Sequence, residues 1–455
     1  MATAPPVSAA QRRKVLKVLF ISLLLDLISF TFILPLFPKL LEFYRDHETA
    51  RGASSSSILS QILTGLNTYK NSFAKPINDR YDIVLLGGAL GSLFSLLQAF
   101  ASPVIGVLSD KYGRRTALLW SMAGNILSVA LWVAATDFRT FLASRVVGGL
   151  SEGNVQLAMA IATDISDESQ RGATMALVGV CFSIAFTFGP ALGAWLSTIT
   201  SVAANPFASA AAFSLFLIVT ETVYLYFSLP ETLPGKIVNG IANGNGAADG
   251  PGVKATQKER TTRTNSHFLL NSTHFVFILF FSGMEFSLPF MTYDLFSYGS
   301  KDTGRLLGFI GLIASVLQGS VVRRTHPLRV VQMGVVSCTI AFFLLGRVDS
   351  QRGLYGAAAL LAVTSATVVT GLNSLSSFEA GSGERGEKLG NHRGFGQAGR
   401  ALGPLLFCTL YWWAGRETAY AAGSAGMVAV CALVFSGLKV PPGTETVRKS
   451  KAKTK

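Results

Sequence analysis

The sequence predicts an all-α membrane protein in which twelve transmembrane helices form two pseudo-symmetric six-helix bundles, with both termini cytosolic. Three observations support this prediction: an apolar composition, a succession of long apolar runs, and a repeat at half the chain length. Half of the 455 residues are hydrophobic and only 14% are charged. A water-soluble domain would leave much of that apolar surface exposed, so a membrane protein is expected.

The apolar residues form runs that are each long enough to cross a hydrocarbon core, which needs about 20 residues of α-helix. The first run lacks the small-residue cleavage site of a signal peptide, so we expect it to be a transmembrane helix. The twelve runs lie at roughly residues 15–38, 83–105, 116–136, 140–163, 172–197, 207–229, 267–291, 304–322, 329–346, 353–377, 387–413 and 418–438.

The distribution of Lys and Arg predicts the orientation of the helices. With a cytosolic N-terminus, 24 of these residues lie on the cytosolic side and 11 on the other side. This asymmetry is the positive-inside pattern of membrane proteins. The net charge of +14 therefore indicates membrane topology, with a lipid bilayer as partner and no nucleic acid.

The polar segments divide the chain into four parts. One of these segments, residues 230–266, separates two sets of six runs. It is rich in Gly, Asn and Ala from Asn239 to Val253, which indicates a flexible linker. Another polar segment, residues 42–80, is expected to be an external loop. The predicted parts are an N-terminal bundle (1–229), a cytosolic linker (230–266), a C-terminal bundle (267–438) and a basic cytosolic tail (439–455).

A short repeat supports the division into two bundles. An Arg-Gly pair stands at the start of the fifth run and another directly before the eleventh, and each is followed at the same separation by a Gly-Pro pair. A substrate path between the bundles is then expected. A Gly-Pro pair within a span predicts a bend and a close helix contact, with or without a direct role in transport. The repeated residues are Arg171, Gly172, Gly189 and Pro190, and, 214 positions later, Arg385, Gly386, Gly403 and Pro404.

The segment between the second and third runs, residues 106–115, reads GVLSDKYGRR. Gly106 permits close approach of two helices, and Gly113 permits a tight turn. The segment resembles the loop signature of the major facilitator superfamily, Gly-x-x-x-Asp-Arg/Lys-x-Gly-Arg-Arg/Lys, at every specified position.

The resemblance implies a transporter with a cytosolic gate. Asp110 is then expected to face the N-terminal end of the eleventh helix, and Arg114 to pair with Asp164 at the end of the fourth. Lys111 and Arg115 complete the basic part of this expected gate. The loop after the eighth run, residues 319–327, has no matching Asp, so a symmetric second gate is not expected.

Other segments resemble particular branches of the superfamily. The first run, with Asp26 followed by Pro35 and Pro38, is similar to the opening helix of the tetracycline/proton antiporters. Over nearly the whole chain the sequence resembles tetracycline transporter-like animal members. This resemblance implies transport of organic anions, including acidic drugs, at the plasma membrane or at an internal membrane such as the inner nuclear membrane.

Two arginines of the eleventh run favour an anionic substrate. Arg393 and Arg400 are seven residues apart, so they share one helix face about 10 Å apart along the axis. Cations inside a membrane protein require anionic partners. Arg400 is the preferred ligand of a substrate carboxylate, with an internal ion pair as the alternative. Arg393 is a second candidate, which otherwise extends toward the cytosol or joins the gate.

Three further charged residues are candidates for proton coupling. Asp26 and Glu285 lie within predicted spans, where a carboxyl group is either neutral or paired. Asp26 would instead be a structural group if it paired with Arg400. Arg145 either polarises a proton site or forms a buried pair with Glu152. The expected second partner is therefore a proton or a counter-anion.

The sequence thus favours a proton-coupled antiporter of small organic anions that works by alternating access. The alternatives are a tetracycline-like exporter of neutral or zwitterionic compounds and a non-transporting receptor or scaffold of the same fold. An enzyme is not expected, because no phosphate-binding loop, nucleophile triad or metal cluster is found in the sequence. No cofactor, catalytic residue or metal site is predicted.

Overall fold

The computed structural model describes residues 8–31, 33–50, 57–72, 81–196, 205, 207–233, 263–381 and 383–441. All regular secondary structure in these ranges is helical. A 3-10 turn at Val322–Arg324 and a π-helical turn at Leu433–Gly437 accompany the α-helices. The helices are α1 (Ala9–Thr31), α2 (Ile33–Ala50), α3 (Ile58–Asn71), α4 (Tyr81–Tyr112), α5 (Arg114–Val133), α6 (Phe138–Ser151), α7 (Asn154–Asp164), α8 (Glu168–Leu196), α9 (Ala208–Ser228), α10 (His267–Phe296), α11 (Ser300–Ser320), α12 (Pro327–Gly346), α13 (Gln351–Glu379), α14 (Arg385–Ala414) and α15 (Arg416–Ala432).

Every predicted apolar run overlaps one of these helices or a consecutive pair of them. Within the described ranges, nine helices are long and apolar enough to cross a membrane. Three predicted runs are outside that set. The first extends over α1 and α2, and the fourth is divided into α6 and α7. The third of them is the eleventh run. The eleventh corresponds to α14, in which glycines and charged side chains lower the hydropathy. The number of crossings and the orientation remain predictions.

The predicted external loop at residues 42–80 is partly helical, which corrects the expectation from the sequence. Helix α2 continues to Ala50, and α3 begins after Ser57, whose hydroxyl caps it by accepting a hydrogen bond from the amide of Ser60 at 3.1 Å. A search for runs of about 20 apolar residues cannot detect so short an amphipathic helix. Residues 234–262 of the predicted linker and 442–455 of the predicted tail lie outside the described residues.

The fourth predicted run is not one continuous helix. Helix α6 ends at Ser151 and α7 begins at Asn154, so the helix is interrupted at Glu152 and Gly153. A Cβ atom on Gly153 would lie 2.8 Å from a side-chain carbon of Ile105 and 3.1 Å from the hydroxyl of Ser121. Close packing against two neighbouring helices therefore accompanies the interruption.

The described residues contain two large hydrophobic cores. The first gathers residues between Val15 and Leu229, and the second gathers residues between Leu270 and Leu438. Leu389 of α14 is an exception, because it packs into the first core although it belongs to the second half of the chain. The two halves meet where α4 packs along α14 and where α8 packs against α11 and α13.

The sequence repeat has a counterpart in helix packing. A Cβ atom on Gly189 of α8 would overlap the hydroxyl of Thr31 in α1, and one on Gly403 of α14 would overlap the carbonyl oxygen of Leu279 in α10. Gly189 thus lets α8 approach α1 closely, and Gly403 lets α14 approach α10 in the same way. Helices α8 and α14 both continue through the following prolines, Pro190 and Pro404. The side chain of Pro190 lies outside the described residues.

Candidate transport pathway and gate

Gly113 forms the predicted tight turn. It stands alone between α4 and α5 with a φ of +103°, a conformation that residues with a Cβ atom rarely adopt. A side chain there would also meet the carboxylate of Glu231. That carboxylate accepts hydrogen bonds from the amides of Arg114 at 2.9 Å and Arg115 at 3.3 Å, so it caps the start of α5. Glu231 is not among the residues predicted from the sequence, although it is an acid two positions after the sixth run.

Gly106 forms the predicted close contact between helices. A Cβ atom on this residue would overlap the carbonyl oxygen of Gly386, which belongs to the other half of the chain. Gly390 and Gly394 follow on α14 at intervals of one turn, and each faces the backbone of α4 in the same way. This line of glycines brings α4 and α14 into backbone contact across the interface between the halves.

Asp110 lies at the N-terminal end of α14, as the motif implies. Its carboxylate accepts hydrogen bonds from the amides of Gly386 at 3.0 Å and Glu387 at 2.7 Å. The first amides of a helix have no partner within the helix and carry partial positive charge. Asp110 therefore stabilises the start of α14 from the opposite half of the chain.

Arg114 connects two acids of the first half. Its guanidinium lies 2.6 Å from Asp110 and donates to Asp164 at 2.8 Å, so the pairing of Arg114 with Asp164 is present. Asp164 also accepts from Arg385 of the second half at 2.9 Å. The Arg114 and Asp164 side chains have no exposed area. We call Asp110, Arg114, Asp164 and Arg385 the ion-pair network; its two acids and two arginines balance in charge.

Lys111 and Arg115 lie outside the ion-pair network. The ammonium of Lys111 lies 5.2 Å from the centre of the neighbouring Tyr112 ring. The guanidinium of Arg115 donates to the carbonyl oxygen of Tyr226 at 2.5 Å and packs on the ring of the same residue. Both contacts remain within the first half of the chain. The part of Lys111 and Arg115 in the gate stays a prediction.

Arg171 occupies the position in the first half that Arg385 has in the second. Its guanidinium donates to the carbonyl oxygen of Ser377 at 3.3 Å and lies 5.5 Å from the centre of the Phe378 ring, both at the end of α13. Arg385 reaches a buried carboxylate at the corresponding place, the end of α7. The contacts across the interface are therefore positioned with pseudo-symmetry but differ in chemistry.

Asp26 lies inside the first half and is not paired with Arg400. Its carboxylate accepts a hydrogen bond from the side-chain amide of Asn154 at 2.9 Å. It lines a cavity of about 40 Å³. The polar side chains around this cavity include Asp26, Ser29, Asn125, Ser128, Arg145, Glu152 and Ser214.

Arg145 and Glu152 line the same cavity, but they do not form an ion pair with each other. Arg145 donates to the hydroxyl of Ser144 at 3.3 Å and lies 5.5 Å from the centre of the Phe141 ring. Glu152 accepts from the side-chain amide of Asn125 at 3.3 Å. The helix ends at Ser151, so the two residues no longer share one regular helix face. The direct Arg145–Glu152 pair considered from the sequence is therefore not formed.

Arg400 forms an ion pair with Glu285 of α10 at 3.2 Å. The two side chains are 44% and 49% exposed, so Arg400 is not buried as the sequence suggested. Phe395 and Leu402 have exposed apolar side chains. Phe395 is two positions after Arg393 and Leu402 two after Arg400, so each is rotated about 200° around the helix axis from its arginine. Arg393 and Arg400 thus lie on the face of α14 opposite these exposed apolar side chains.

Arg393 has a different environment from Arg400. Its Nε atom is buried and has no hydrogen-bond partner among the described residues. Glu152 and Asp26 are close enough to interact electrostatically with its charge, but neither forms an ion pair with it. Arg393 therefore has uncommitted hydrogen-bonding capacity at the interface between the halves.

Sequence reasoning missed two further groups of buried polar side chains. Glu221 in α9 is buried and accepts a hydrogen bond from Ser22 at 2.6 Å. His274 and His392 stack with their ring centres 4.3 Å apart at the contact of α10 with α14. Glu221 was detectable as the single acid within the sixth run, whereas the histidine pair depends on the packing of two distant helices.

The helices and the residues between the two halves define a polytopic membrane transporter. Comparison with known proteins agrees with this class. Residues 19–404 match the family model of the Major Facilitator Superfamily. The chain belongs to this superfamily and is a transporter, not an enzyme.

Individual relatives cover most of the chain. Major facilitator superfamily domain-containing protein 10 of Mus musculus is 34% identical over 438 residues, which are 92% of each protein. The crystal structure of the human organic anion transporter MFSD10 (TETRAN) matches with a TM-score of 0.80 and 32% identity, covering 93% of this chain and 99% of that one. The class E tetracycline resistance protein of Escherichia coli is 24% identical over 73% of this chain and 79% of its own length.

Proposed function

We propose that this chain is a secondary transporter of small organic anions, coupled to protons, that works by alternating access between the two halves. The observation that carries the proposal is Arg393, whose buried Nε atom has no partner among the described residues. A cation inside a membrane protein is costly unless an anion accompanies it. A substrate carboxylate is suited to this role, because the planar guanidinium binds carboxylates through two parallel hydrogen bonds.

Arg400 is proposed as a second ligand of the substrate. In this structure Glu285 is paired with the guanidinium of Arg400, and both side chains are about half exposed, so the pair is accessible. A substrate anion would compete with Glu285 for the same guanidinium. The human relative that shares this fold is described as an organic anion transporter, which supports the same substrate class for this chain.

Proton coupling is proposed at Asp26 and Glu285, with Arg145 beside the cavity. Binding of an anion to Arg400 would release Glu285 from its ion pair, and a proton on Glu285 would then restore neutrality. This electrostatic link favours movement of the proton with the anion. The antiport predicted from the sequence requires instead that proton and anion bind in turn, each excluding the other.

The ion-pair network is proposed to be the cytosolic gate. Arg114, Asp164 and Arg385 are held by contacts of 2.8 and 2.9 Å, and the last of these contacts joins the two halves. Opening requires the separation of Asp164 from Arg385 and of Asp110 from the start of α14. Because all of these groups have partners when the gate is closed, the closed state is stabilised until substrate or proton binding repositions the halves.

The test is uptake of a radiolabelled aromatic carboxylate into proteoliposomes, with pH gradients of both signs. We expect Arg393→Ala to reduce uptake at least tenfold and Arg393→Lys to recover part of it. Arg352→Ala, which changes an exposed arginine at the start of α13, is the matched control. Stimulation by external acid indicates movement of protons with the anion, and stimulation by internal acid indicates antiport. Uptake that is unchanged in Arg393→Ala would contradict the proposed site.

A further inference from the structure

Glu221 is an acid in the interior of α9 that the proposed pathway does not use. Its side chain has 0% exposed area. One carboxyl oxygen accepts a hydrogen bond from the hydroxyl of Ser22 at 2.6 Å. The other carboxyl oxygen, Oε2, is buried without a hydrogen-bond partner among the described residues. A buried oxygen with no partner is costly in a membrane interior, so it requires an explanation.

The charged groups that act electrostatically on Glu221 are acids. Helix α9 packs against α1 and α5. Asp26 of α1 and Glu152, between α6 and α7, both interact with Glu221 through their charge. On the α5 side, the guanidinium of Arg115 is bound to the carbonyl oxygen of Tyr226, more than one turn farther along α9. Within the described part of the chain, no cation forms an ion pair with Glu221.

A polar stripe connects Glu221 with the cavity of the first half. On α1, Ser22, Asp26 and Ser29 succeed one another at intervals of about one turn, so they share one face. Asp26 and Ser29 line the cavity, and Ser29 is hydrogen-bonded to Ser214 of α9. Glu221 contacts Ser22 at the end of this stripe. It therefore lies behind Asp26 as seen from the cavity.

We propose that Glu221 is a proton-binding site that exchanges its proton with the cavity through Ser22 and Asp26. An ionised carboxylate beside two other acids and no paired cation would be strongly disfavoured, whereas a proton makes the group neutral. For uptake, the hydroxyl of Ser22 gives its proton to Glu221 and receives one from the direction of Asp26. Release follows the same route in reverse. The inference rests on the proposed proton coupling and adds a second acid to it.

The primary test does not depend on transport. Infrared difference spectra of the purified full-length protein in lipid nanodiscs are recorded between acid and alkaline pH. We expect the carbonyl band of a protonated carboxylic acid to disappear at alkaline pH, to be missing in Glu221→Gln, and to shift in Ser22→Ala because a hydrogen bond is lost. Glu42→Gln, at an exposed position of α2, is expected to leave this band unchanged. A Glu221 band that persists at every pH, or that never occurs, would overturn the proposal.

Flux measurements distinguish this inference from the proposed function. In proteoliposomes we expect Glu221→Gln to abolish the stimulation of anion uptake by a pH gradient, while uptake without a gradient is retained. A stimulation equal to that of the wild type in this variant would overturn the role of Glu221 and leave proton coupling intact. If wild-type uptake ignored the gradient but the Glu221 band titrated, the proton site would stand and the coupling would be rejected.

Discussion

Asp164 of the first half and Arg385 of the second half form an ion pair of 2.9 Å across the interface between the halves. The same carboxylate accepts a hydrogen bond from Arg114, so one buried acid serves two arginines. Arg114 has no exposed area and depends on Asp164 and Asp110 for its charge balance. This relationship makes Asp164 the central acid of the ion-pair network.

Asp164→Asn is expected to destabilise the protein strongly. The substitution leaves a buried arginine with one charged partner fewer, and breaking a buried pair in this way costs about 3–5 kcal/mol. Thermal unfolding in detergent measures the effect. The control is Asp302→Asn, because the Asp302–Arg305 pair is exposed and such pairs contribute about 0–1 kcal/mol. Equal melting temperatures for the two variants would contradict the assignment of a buried network.

Gly113→Ala is expected to lower stability through the backbone. The residue has a φ of +103° and a ψ of 153°, a region occupied almost only by glycine, and holding another residue there costs about 1–3 kcal/mol. The new methyl group would also meet Glu231. Gly356→Ala is the control, since this helical glycine of α13 has open space around it and Ala favours a helix by roughly 0.5–1 kcal/mol. Melting temperatures that change in the same direction in both variants would argue against the strained turn.

Gly106→Val is expected to prevent close contact between α4 and α14. Even a single Cβ atom there would overlap the carbonyl oxygen of Gly386, so the ion-pair network could not form fully. Gly91→Val alters the same helix at a position with open space, and it should transport at close to the wild-type rate. Initial uptake rates in proteoliposomes are compared, with a loss of at least tenfold expected for Gly106→Val. Comparable rates for both variants would show that the contact is dispensable for transport.

Glu285→Gln is expected to lower the KM for an organic anion. It removes the carboxylate that competes for Arg400 while keeping a side chain of similar shape. Arg400→Gln should raise the KM, and the double variant should resemble Arg400→Gln because both residues act on the same group. Glu417→Gln, at an exposed position of α15, serves as the control. A higher KM in Glu285→Gln would mean that Glu285 positions Arg400 for the substrate and does not compete with it.

Features that depend on residues close together in the chain could be predicted from the amino-acid sequence. Apolar runs predicted helices, because a span must be apolar over about 20 consecutive residues whatever its neighbours are. The spacing within residues 106–115 predicted the turn at Gly113 and the contact at Gly106, since both depend on the missing side chain of a glycine. The motif also implied the pairing of Arg114 with Asp164.

Which distant charges meet depends on how the helices pack. Asp26 was expected to pair with Arg400 if it were structural, but it contacts Asn154, while Arg400 contacts Glu285. These partners are separated by more than 100 residues, and their distances depend on the rotation and depth of each helix in the packed bundle. A hydropathy pattern specifies that a helix exists but leaves its rotation about the axis open to packing.

Packing likewise decided the interruption at Glu152 and the burial of Glu221. The interruption places Glu152 and Arg145 on one cavity without a direct pair, although their spacing of seven residues suggested a shared face. Glu221 is costly as an isolated charge in a membrane and acquires its partner, Ser22, only when α1 packs against α9. Local sequence therefore determined the helices and the turn of the gate, whereas side-chain packing between helices determined the site.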